Sequence, residues 1–318
     1  MAHLIKMLAD TAPLIHRAPT TAGVLKRIKY CLRGLVYPHY TKEWFELLET
    51  PELAIVVKNH PYLFHKLQRP YLNRSLNTHQ RLEALKQHYG FVVAHFSPSM
   101  MLDIYATPGL LLATMPLAEI GHFGLRLGCS RKEKEGDLSI GLLEQKSSED
   151  LFTLSFSFSR SETNRREIFV GGLQGHTLAG KDLVVSITRH MHGLRPKALL
   201  IFALQQLAAG WGITNLRAVS DDQHIYRHFQ KRREFSASYD EFWVQCGGRR
   251  AEDGMFNLPV TFVPREISTI KANKRQMYRR RYAMLSNIAG QIRFQMSLPA
   301  DWHPAFVSSE VPAMAVCR

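Results

Sequence analysis

The stretch Leu151–Ser159, LFTLSFSFS, alternates large apolar residues with small polar ones. In an extended chain successive side chains point to opposite faces, so Phe152, Leu154, Phe156 and Phe158 would share one face and the hydroxyl side chains the other. This period of two predicts a half-buried β-strand, and it sets the fold class for the residues around it.

Apolar runs on both sides of this stretch predict further strands. They cover residues 110–115, 137–143 and 167–173, and short charged loops separate several of them. Strands with short polar connections favour an antiparallel meander. The glycine-rich stretch 171–180, GGLQGHTLAG, predicts turns at the end of this series.

Helices and strands alternate after these turns. Pro196 stands at the first helical position before KALLIFALQQLAA, residues 197–209, which is the strongest helix pattern in the chain. The other predicted elements are a helix over 182–191, strands over 213–219 and 241–246, and a basic helix or helix pair over 265–294.

The N-terminal part is predicted to be helical, because the apolar residues of 22–35 recur at helical spacing with lysines and arginines between them. We therefore expect a helical region over residues 1–95, an α/β core with the basic helix over 96–295, and a loose tail over 296–318. The fold class is α+β: a helical N-terminal region followed by a mixed, largely antiparallel sheet with packed helices.

The composition indicates a globular protein with an anionic partner. Of 318 residues 45% are apolar, and the net charge is +14. Such a charge favours nucleic acid, an anionic membrane face or a phosphate-bearing ligand, although a basic surface can also serve solubility alone. The four cysteines lack metal-type spacing, and no apolar run is long enough to span a membrane. The expected location is the cytoplasm, with peripheral contact to the inner membrane left open.

Several common motifs are absent from the sequence. It has no Walker A loop, no G-x-G-x-x-G after a strand, no H-E-x-x-H and no G-x-S-x-G. P-loop kinases, simple Rossmann dehydrogenases, zincins and α/β-hydrolases are therefore not favoured.

The start of the strongest helix is rich in cations. The stretch HGLRPK contains His192, Gly193, Arg195 and Lys197. A helix N-terminus exposes free N–H groups and the positive end of the helix dipole, where cations are unfavourable unless an anion offsets them. These four residues are predicted to bind the phosphates of a cofactor. In the alternative, the two long cations face water or pair with acids.

Two further stretches carry candidate catalytic groups. In SDDQHIY, which follows a predicted strand, Asp221 or Asp222 would orient a histidine as general base. In YDEFW, a glutamate lies among aromatic residues that would desolvate it. The alternatives are a helix cap with a surface histidine, and an edge strand with core aromatics. The candidate catalytic residues are His224, Tyr226, Tyr239 and Glu241.

The basic run of residues 271–281, with Tyr278 and Tyr282 interleaved, would bind RNA, DNA or anionic lipid, unless it is a solvated helix face. It matches no RNP, KH or zinc-finger pattern. His224 and His228 would share a helix face, but no third ligand has a clear spacing, so no metal site is predicted.

Six motifs, taken in order, resemble the VirK/YbjX family over residues 20–295. They are FVGGLQG (Phe169–Gly175), HGLRPK (His192–Lys197), AVS (Ala218–Ser220), HIY (His224–Tyr226), YDEFW (Tyr239–Trp243), and the Lys274-Arg275 pair with YRRRY (Tyr278–Tyr282). The resemblance implies a Gram-negative bacterial protein tied to virulence and the envelope stress programme. It also implies resistance to antimicrobial peptides, outer-membrane remodelling, or post-transcriptional support of a surface virulence protein. It implies no particular reaction.

Two functional hypotheses follow. The order of antiparallel strands, a cationic helix start and a further strand is similar to the GNAT acyltransferase fold, with one extra helix before Arg195. It favours an acyl-CoA-dependent acyltransferase that modifies an envelope component. The second hypothesis is a non-enzymatic protein whose basic segment binds RNA or anionic lipid.

Overall fold

The computed structural model describes residues 1–147, 149–161, 163–176, 180–226 and 238–298. Helices form the N-terminal part, as the sequence predicts. They are α1 (Ala2–Ile15), α2 (Thr21–Val36), α3 (Pro38–Leu48), α4 (Ala54–Asn59), α5 (Leu63–Lys66), α6 (Thr78–His95) and α7 (Pro98–Tyr105).

The strands follow. They are β1 (Leu110–Leu117), β2 (Gly121–Cys129), β3 (Leu138–Glu144), β4 (Asp150–Arg160), β5 (Arg166–Gly175), β6 (Asn215–Ala218), β7 (Arg249–Arg250) and β8 (Phe256–Leu258). Helices α8 (Lys181–His190) and α9 (Pro196–Gly210) connect β5 to β6, α10 (Tyr239–Gln245) precedes β7, and α11 (Ala272–Gln295) follows β8.

These strands form one sheet in the order β1-β2-β3-β4-β5-β6-β8-β7. Each neighbouring pair is antiparallel except β5 and β6, which are parallel. The mixed, largely antiparallel sheet with packed helices is therefore confirmed. The antiparallel strands lead through α8 and α9 into β6, so α8 is the extra helix in the comparison with the GNAT order.

Three local predictions were wrong. Residues 171–175 continue β5 instead of forming turns. Residues 241–246 do not form a strand, because α10 covers most of them: Ser238 caps this helix, and Tyr239 and Trp243, four residues apart, are both buried. Strand β4 is not half-buried, because Ser155 and Ser157 are buried together with its phenylalanines.

The helical region packs on the sheet through a buried polar group, which we call the Asp137 network. Lys66 Nζ donates to Asp137 Oδ1 at 2.5 Å and Tyr89 Oη donates to the same oxygen at 2.7 Å. Tyr71 Oη and Ser157 Oγ donate to Oδ2, the latter at 3.0 Å. Buried apolar residues of both regions also belong to one hydrophobic core. The division of the chain at residue 95 stays a prediction.

Helix α9 lies at the centre of this core. Its residues from Leu199 to Ala208 are all buried, and it packs against β3, β4 and α11. Because the body of α9 is buried, its first turn has a fixed position beside α8 and α10. Of the predicted tail, only residues 296–298 lie within the described ranges.

Candidate functional site

A cavity of about 570 Å³ opens where α9 begins; we call it the α9 cavity. Arg195 precedes the helix, Pro196 is its first residue and Lys197 follows. The cavity is lined by Phe152, Val184, Val185, Thr188, Arg195, Pro196, Lys197, Ser238, Glu241, Phe242 and Gln245. It therefore combines a helix N-terminus, two cations and an apolar wall.

The charged side chains that line the α9 cavity differ in their exposure to solvent. Burial lowers the pKa of Lys197, whose Nζ lies 5.8 Å from the centre of the Phe242 ring. Arg195 Nη1 donates to Gln245 Oε1 at 3.4 Å. Glu241 stands on the α10 side and is exposed. A partly desolvated ammonium at a helix N-terminus gains from a bound anion, because both the charge and the helix dipole are then offset.

His192 and Gly193 contact α11, whereas Arg195 and Lys197 line the α9 cavity. Both have left-handed backbone conformations, with φ of 54° and 78°. Arg281 of α11 donates from Nε and Nη2 to the His192 carbonyl at 3.0 and 2.7 Å. Its guanidinium also fills the space where a Cβ of residue 193 would stand. Their predicted role in cofactor binding stays a prediction, and their observed role is to hold α11 against the α8–α9 turn.

A second group of polar residues is buried beside β5; we call it the Glu135 cluster, after Glu135, Gln174, His224 and Tyr239. His224 Nε2 lies 3.4 Å from Glu135 Oε1, and both side chains are 1% exposed. Gln174 Nε2 donates to the same oxygen. The rings of His224 and Tyr239 stack at 5.0 Å between centres. Two of the predicted catalytic residues, His224 and Tyr239, therefore meet around a carboxylate.

The two oxygens of the Glu135 carboxylate differ in their hydrogen bonding. Within the described residues, Oε2 is buried and has no hydrogen-bond partner. Buried polar atoms are normally satisfied, because an unpaired one costs roughly 1–3 kcal/mol. The unpaired Oε2 lies in the same cluster as the stacked rings of His224 and Tyr239.

Two glycines of β5 make room for Glu135. A Cβ at position 171 would clash with the Glu135 backbone, and a Cβ at 172 would clash with the carboxylate. Strand β6 pairs with β5 only as far as Val170, opposite Ala218. The Glu135 cluster thus lies along the part of β5 that extends beyond its parallel neighbour.

Tyr239 is held as a neutral phenol. Burial and, after it, the Glu135 carboxylate raise the pKa of Tyr239 well above its ordinary value. The backbone N–H of Leu173 donates to its oxygen at 3.2 Å. The phenol accepts this bond and keeps its own proton to donate.

Tyr226 lies at the edge of the cluster. Its backbone N–H faces His224 Nδ1 at 3.4 Å, and Lys134 Nζ lies 5.2 Å from the centre of its ring. With Nδ1 accepting from the backbone, the proton of a neutral His224 ring is on Nε2, the nitrogen that faces Glu135.

Asp221 has a different role from the predicted one. Its carboxylate accepts from Ser238 Oγ at 2.5 Å and from the Tyr239 backbone N–H at 2.9 Å. Asp221 therefore fixes the start of α10 and, through it, the Tyr239 ring. The carboxylate that faces His224 Nε2 is Glu135.

Sequence reasoning missed Glu135, which belongs to the charged run Arg131–Glu135 and looks like a solvated loop residue. The contact that reveals it, from Gln174, spans 39 residues. The Gly171–Gly172 pair was the available signal, since adjacent glycines inside a strand indicate that another group approaches closely.

The basic run predicted over residues 271–281 lies on α11 and is only partly free for a ligand. Arg275 and Arg281 bond to backbone carbonyls of this chain. Lys271, Lys274, Arg279 and Arg280 are exposed.

Within the described ranges, no group of His, Cys, Asp and Glu has an arrangement that could hold a metal ion. His228 lies outside those ranges. None of the helices described there has the length and apolar character needed to cross a bilayer.

Comparison with known proteins gives a family and distant structural neighbours. One of these neighbours, titled "cAMP-binding acyltransferase from Mycobacterium smegmatis, E234A mutant", is 13% identical with a TM-score of 0.31, over 70% of this chain and 63% of that one. A TM-score this low does not establish a shared fold.

The sequence relatives are closer. An uncharacterized protein of Haemophilus influenzae is 29% identical over 50% of this chain, and the match spans 53% of that protein's length. The "Uncharacterized protein YbjX" of Escherichia coli K12 is 34% identical over 272 residues, which is 84% of this chain and 82% of that protein. A family model described as "Protein of unknown function (DUF535)" matches residues 21–293. The chain therefore belongs to the VirK/YbjX family, as its motifs predicted.

Proposed function

We propose that this protein is an acyltransferase that takes its acyl group from an acyl-CoA bound in the α9 cavity. The observation that carries the proposal is the cavity itself, because two cations and a helix N-terminus meet an apolar wall there. An acyl-CoA offers the matching chemistry, with phosphates at one end and an apolar chain at the other.

The phosphate end would lie at the start of α9. Pro196 has no N–H, the N–H of Lys197 is one of the first-turn groups without a partner within the helix, and Lys197 Nζ lies 5.8 Å from the centre of the Phe242 ring on the cavity wall. Arg195 is anchored by Gln245 on the facing helix, so its guanidinium is already positioned on the cavity wall. Phe152, Val184 and Phe242 would contact the less polar part of the ligand.

The Glu135 cluster would supply the proton transfers. Ser238 lines the α9 cavity and the next residue, Tyr239, belongs to the cluster, so the two adjoin. A bound acyl-CoA would supply an activated acyl group, whose bond to sulfur is exchanged for a bond to the acceptor. Glu135 Oε2 accepts the proton of the acceptor amine or hydroxyl, and Tyr239 donates its proton to the leaving sulfur. Passing the proton from Glu135 to Tyr239 restores both groups.

The test is calorimetric titration of the full chain with CoA, acetyl-CoA and octanoyl-CoA. We expect binding, and a loss of at least about tenfold in affinity in Arg195→Ala/Lys197→Ala, since each phosphate contact to a charged group contributes roughly 1 kcal/mol or more. The matched control is Lys274→Ala/Arg279→Ala, which removes two exposed cations of α11. If none of the three compounds binds, or if both double variants bind equally well, the proposal fails.

A second candidate function is polyanion binding at α11, favoured by three exposed cations on the helix and a fourth, Lys271, at its N-cap. Arg279 and Arg280 are adjacent, and Lys271 and Lys274 stand near the start of the helix. Phosphate contacts would make RNA affinity fall steeply with salt, by a slope of roughly 0.7 per contact on a double logarithmic scale. A flat salt dependence, or RNA affinity unaffected by Arg279→Ala/Arg280→Ala, would eliminate this candidate.

Either function would fit the associations that the family resemblance implies. Acyl transfer to an envelope component would account for antimicrobial-peptide resistance and outer-membrane remodelling. RNA binding would account for post-transcriptional support of a surface protein.

A further inference from the structure

Helix α2 carries an apolar face that no part of the described chain covers. Five large apolar side chains on it are between 46% and 63% exposed. They are Val24, Leu25, Ile28, Leu32 and Val36, and we call them the α2 stripe. Isolated exposed apolar residues are ordinary, but a continuous row of them along one helix marks a contact surface.

The geometry of α2 explains why this row is exposed. Gly23, Tyr30 and Gly34 form the buried face of the helix, and Tyr30 Oη lies 2.8 Å from Thr11 Oγ1 of α1. At 3.6 residues per turn, Val24, Ile28 and Leu32 lie on another side of the helix. The packing of α2 on α1 therefore uses a different face and leaves the α2 stripe to another partner.

The charges of α2 have one sign. Its residues 21–36 include four cations and no acid. Arg27 turns back and donates to the His16 carbonyl at 2.9 Å, whereas Lys26, Lys29 and Arg33 are exposed. On a helical projection these three adjoin one long edge of the stripe.

We propose that α2 is an interfacial helix by which the protein binds the surface of an anionic phospholipid bilayer. An apolar row about 18 Å long, given 1.5 Å of rise per residue from Val24 to Val36, can enter the acyl boundary while the flanking cations contact lipid phosphates. Lysine and arginine stems suit this depth, because they extend along apolar surface and keep the charge in the headgroup layer.

The all-cationic flank favours lipid over a protein partner. A row of aliphatic side chains with cations along one edge is complementary to a layer of apolar chains bordered by phosphates. The basic helix α11 offers a contrast within the same chain, since Phe294 is its one strongly exposed large apolar residue in the described ranges. This inference does not depend on the acyltransferase proposal.

The test is co-sedimentation of the full chain with phosphatidylcholine vesicles, with and without phosphatidylglycerol. We expect binding to the anionic vesicles only, weakened by salt. Leu25→Gln/Leu32→Gln should lower the partition at least about tenfold. Lys26→Gln/Lys29→Gln/Arg33→Gln should lower it roughly a hundredfold, because each cation near an anionic surface contributes about fivefold.

The matched control is Lys274→Gln/Arg279→Gln/Arg280→Gln, which removes the same charge from α11 and should bind vesicles as the unmodified chain does. Far-UV circular dichroism and the urea midpoint of each variant exclude unfolding. Absence of vesicle binding, or its loss in the α11 variant instead, would overturn the proposal. So would a self-association in lipid-free solution that Leu25→Gln/Leu32→Gln abolishes, because the stripe would then bind a second copy of the chain.

Discussion

Glu135 and Asp137 are buried carboxylates two residues apart, yet their surroundings differ in almost every respect. Asp137 is 1% exposed and Glu135 0%. Asp137 receives hydrogen bonds from Lys66, Tyr71, Tyr89 and Ser157. Around Glu135, Gln174 Nε2 donates to Oε1, and His224 Nε2 lies 3.4 Å from that same oxygen.

This difference separates a structural group, Asp137, from Glu135, which we propose as a functional one. Burial alone would raise the pKa of Asp137, but the nearby Lys66 ammonium, together with the hydrogen bonds of Lys66 and Tyr71, holds it well below its ordinary value. A fully satisfied anion of this kind fastens the helical region to the sheet. A buried carboxylate with a free oxygen contributes less to stability and more to chemistry.

The largest expected effect concerns the Asp137 network. Lys66→Met leaves the Asp137 charge buried without its counter-charge, and breaking such a pair costs about 3–5 kcal/mol. Urea unfolding, followed by circular dichroism, measures this free energy. In the double variant Lys66→Met/Asp137→Asn no charge remains, so we expect part of the loss to be recovered. A double variant as unstable as the sum of the singles would mean that the two groups are not coupled.

The second prediction uses pH to test a buried histidine beside this network, His88 of α6. Its Nδ1 accepts from the Phe158 backbone N–H at 3.1 Å, and its ring lies 4.8 Å from that of Tyr89, centre to centre. Burial lowers the pKa of His88 to about 4, from 6.5. In the unfolded chain His88 takes up a proton as pH falls below 6.5, whereas in the folded chain it stays neutral down to about pH 4. The stability of the fold is therefore full above pH 6.5 and falls progressively between pH 6.5 and about 4. Near pH 4.5 the loss is roughly 2–3 kcal/mol.

Comparison of urea unfolding at neutral and acid pH checks this dependence. In His88→Gln the drop between the two pH values should shrink by about that amount, whatever the variant's stability at neutral pH. The network itself, through Asp137, should lose its stabilisation only at still lower pH, below the ordinary aspartate range. An unchanged drop in the variant would show that His88 is not the group that titrates.

The third prediction separates the backbone of Glu135 from its carboxylate. Gly171→Ala places a methyl group against the Glu135 backbone, which cannot move cheaply, whereas Gly172→Ala meets the flexible end of the side chain. Overpacking costs about 1–3 kcal/mol, and we expect Gly171→Ala at the upper end and Gly172→Ala at the lower end. Thermal unfolding gives the order, and the reverse order would contradict this account of the glycine pair.

Local patterns in the sequence were enough to predict the helices of the N-terminal part, the alternation of β4, and α9 with its proline start. Strand β2 was not predicted, because Gly124, Arg126 and Gly128 resemble loop residues. Arg126 is buried there because it pairs with Asp150 at 2.5 Å. Asp150 is 24 residues away in sequence, so local periodicity cannot indicate this pairing.

The residues of the candidate site show the same difference between local patterns and contacts distant in sequence. Arg195 and Lys197 were recognised from a local feature, the start of a helix. His224, Tyr226 and Tyr239 were picked out from strand ends and aromatic neighbours, but the group that unites His224 with Tyr239 comes from a charged loop. Only the folded sheet brings Glu135 against β5, so its role could not be read from its own neighbours.

The last prediction has the smallest effect on stability and the most direct bearing on function. Glu135→Gln keeps the acceptor for Gln174 and replaces an oxygen that has no described partner, so the unfolding free energy should change by less than about 1 kcal/mol. If Glu135 accepts the proton in acyl transfer, the turnover rate should fall by roughly 10²–10⁴-fold while octanoyl-CoA affinity is unchanged. Glu241→Gln is the matched control, since Glu241 was the acid that the sequence favoured and it lies on the wall of the α9 cavity. Full activity in Glu135→Gln with loss in Glu241→Gln would move the base to α10. The unpaired Oε2 of Glu135 would then have no catalytic role, and the contrast between a functional Glu135 and a structural Asp137 would no longer hold.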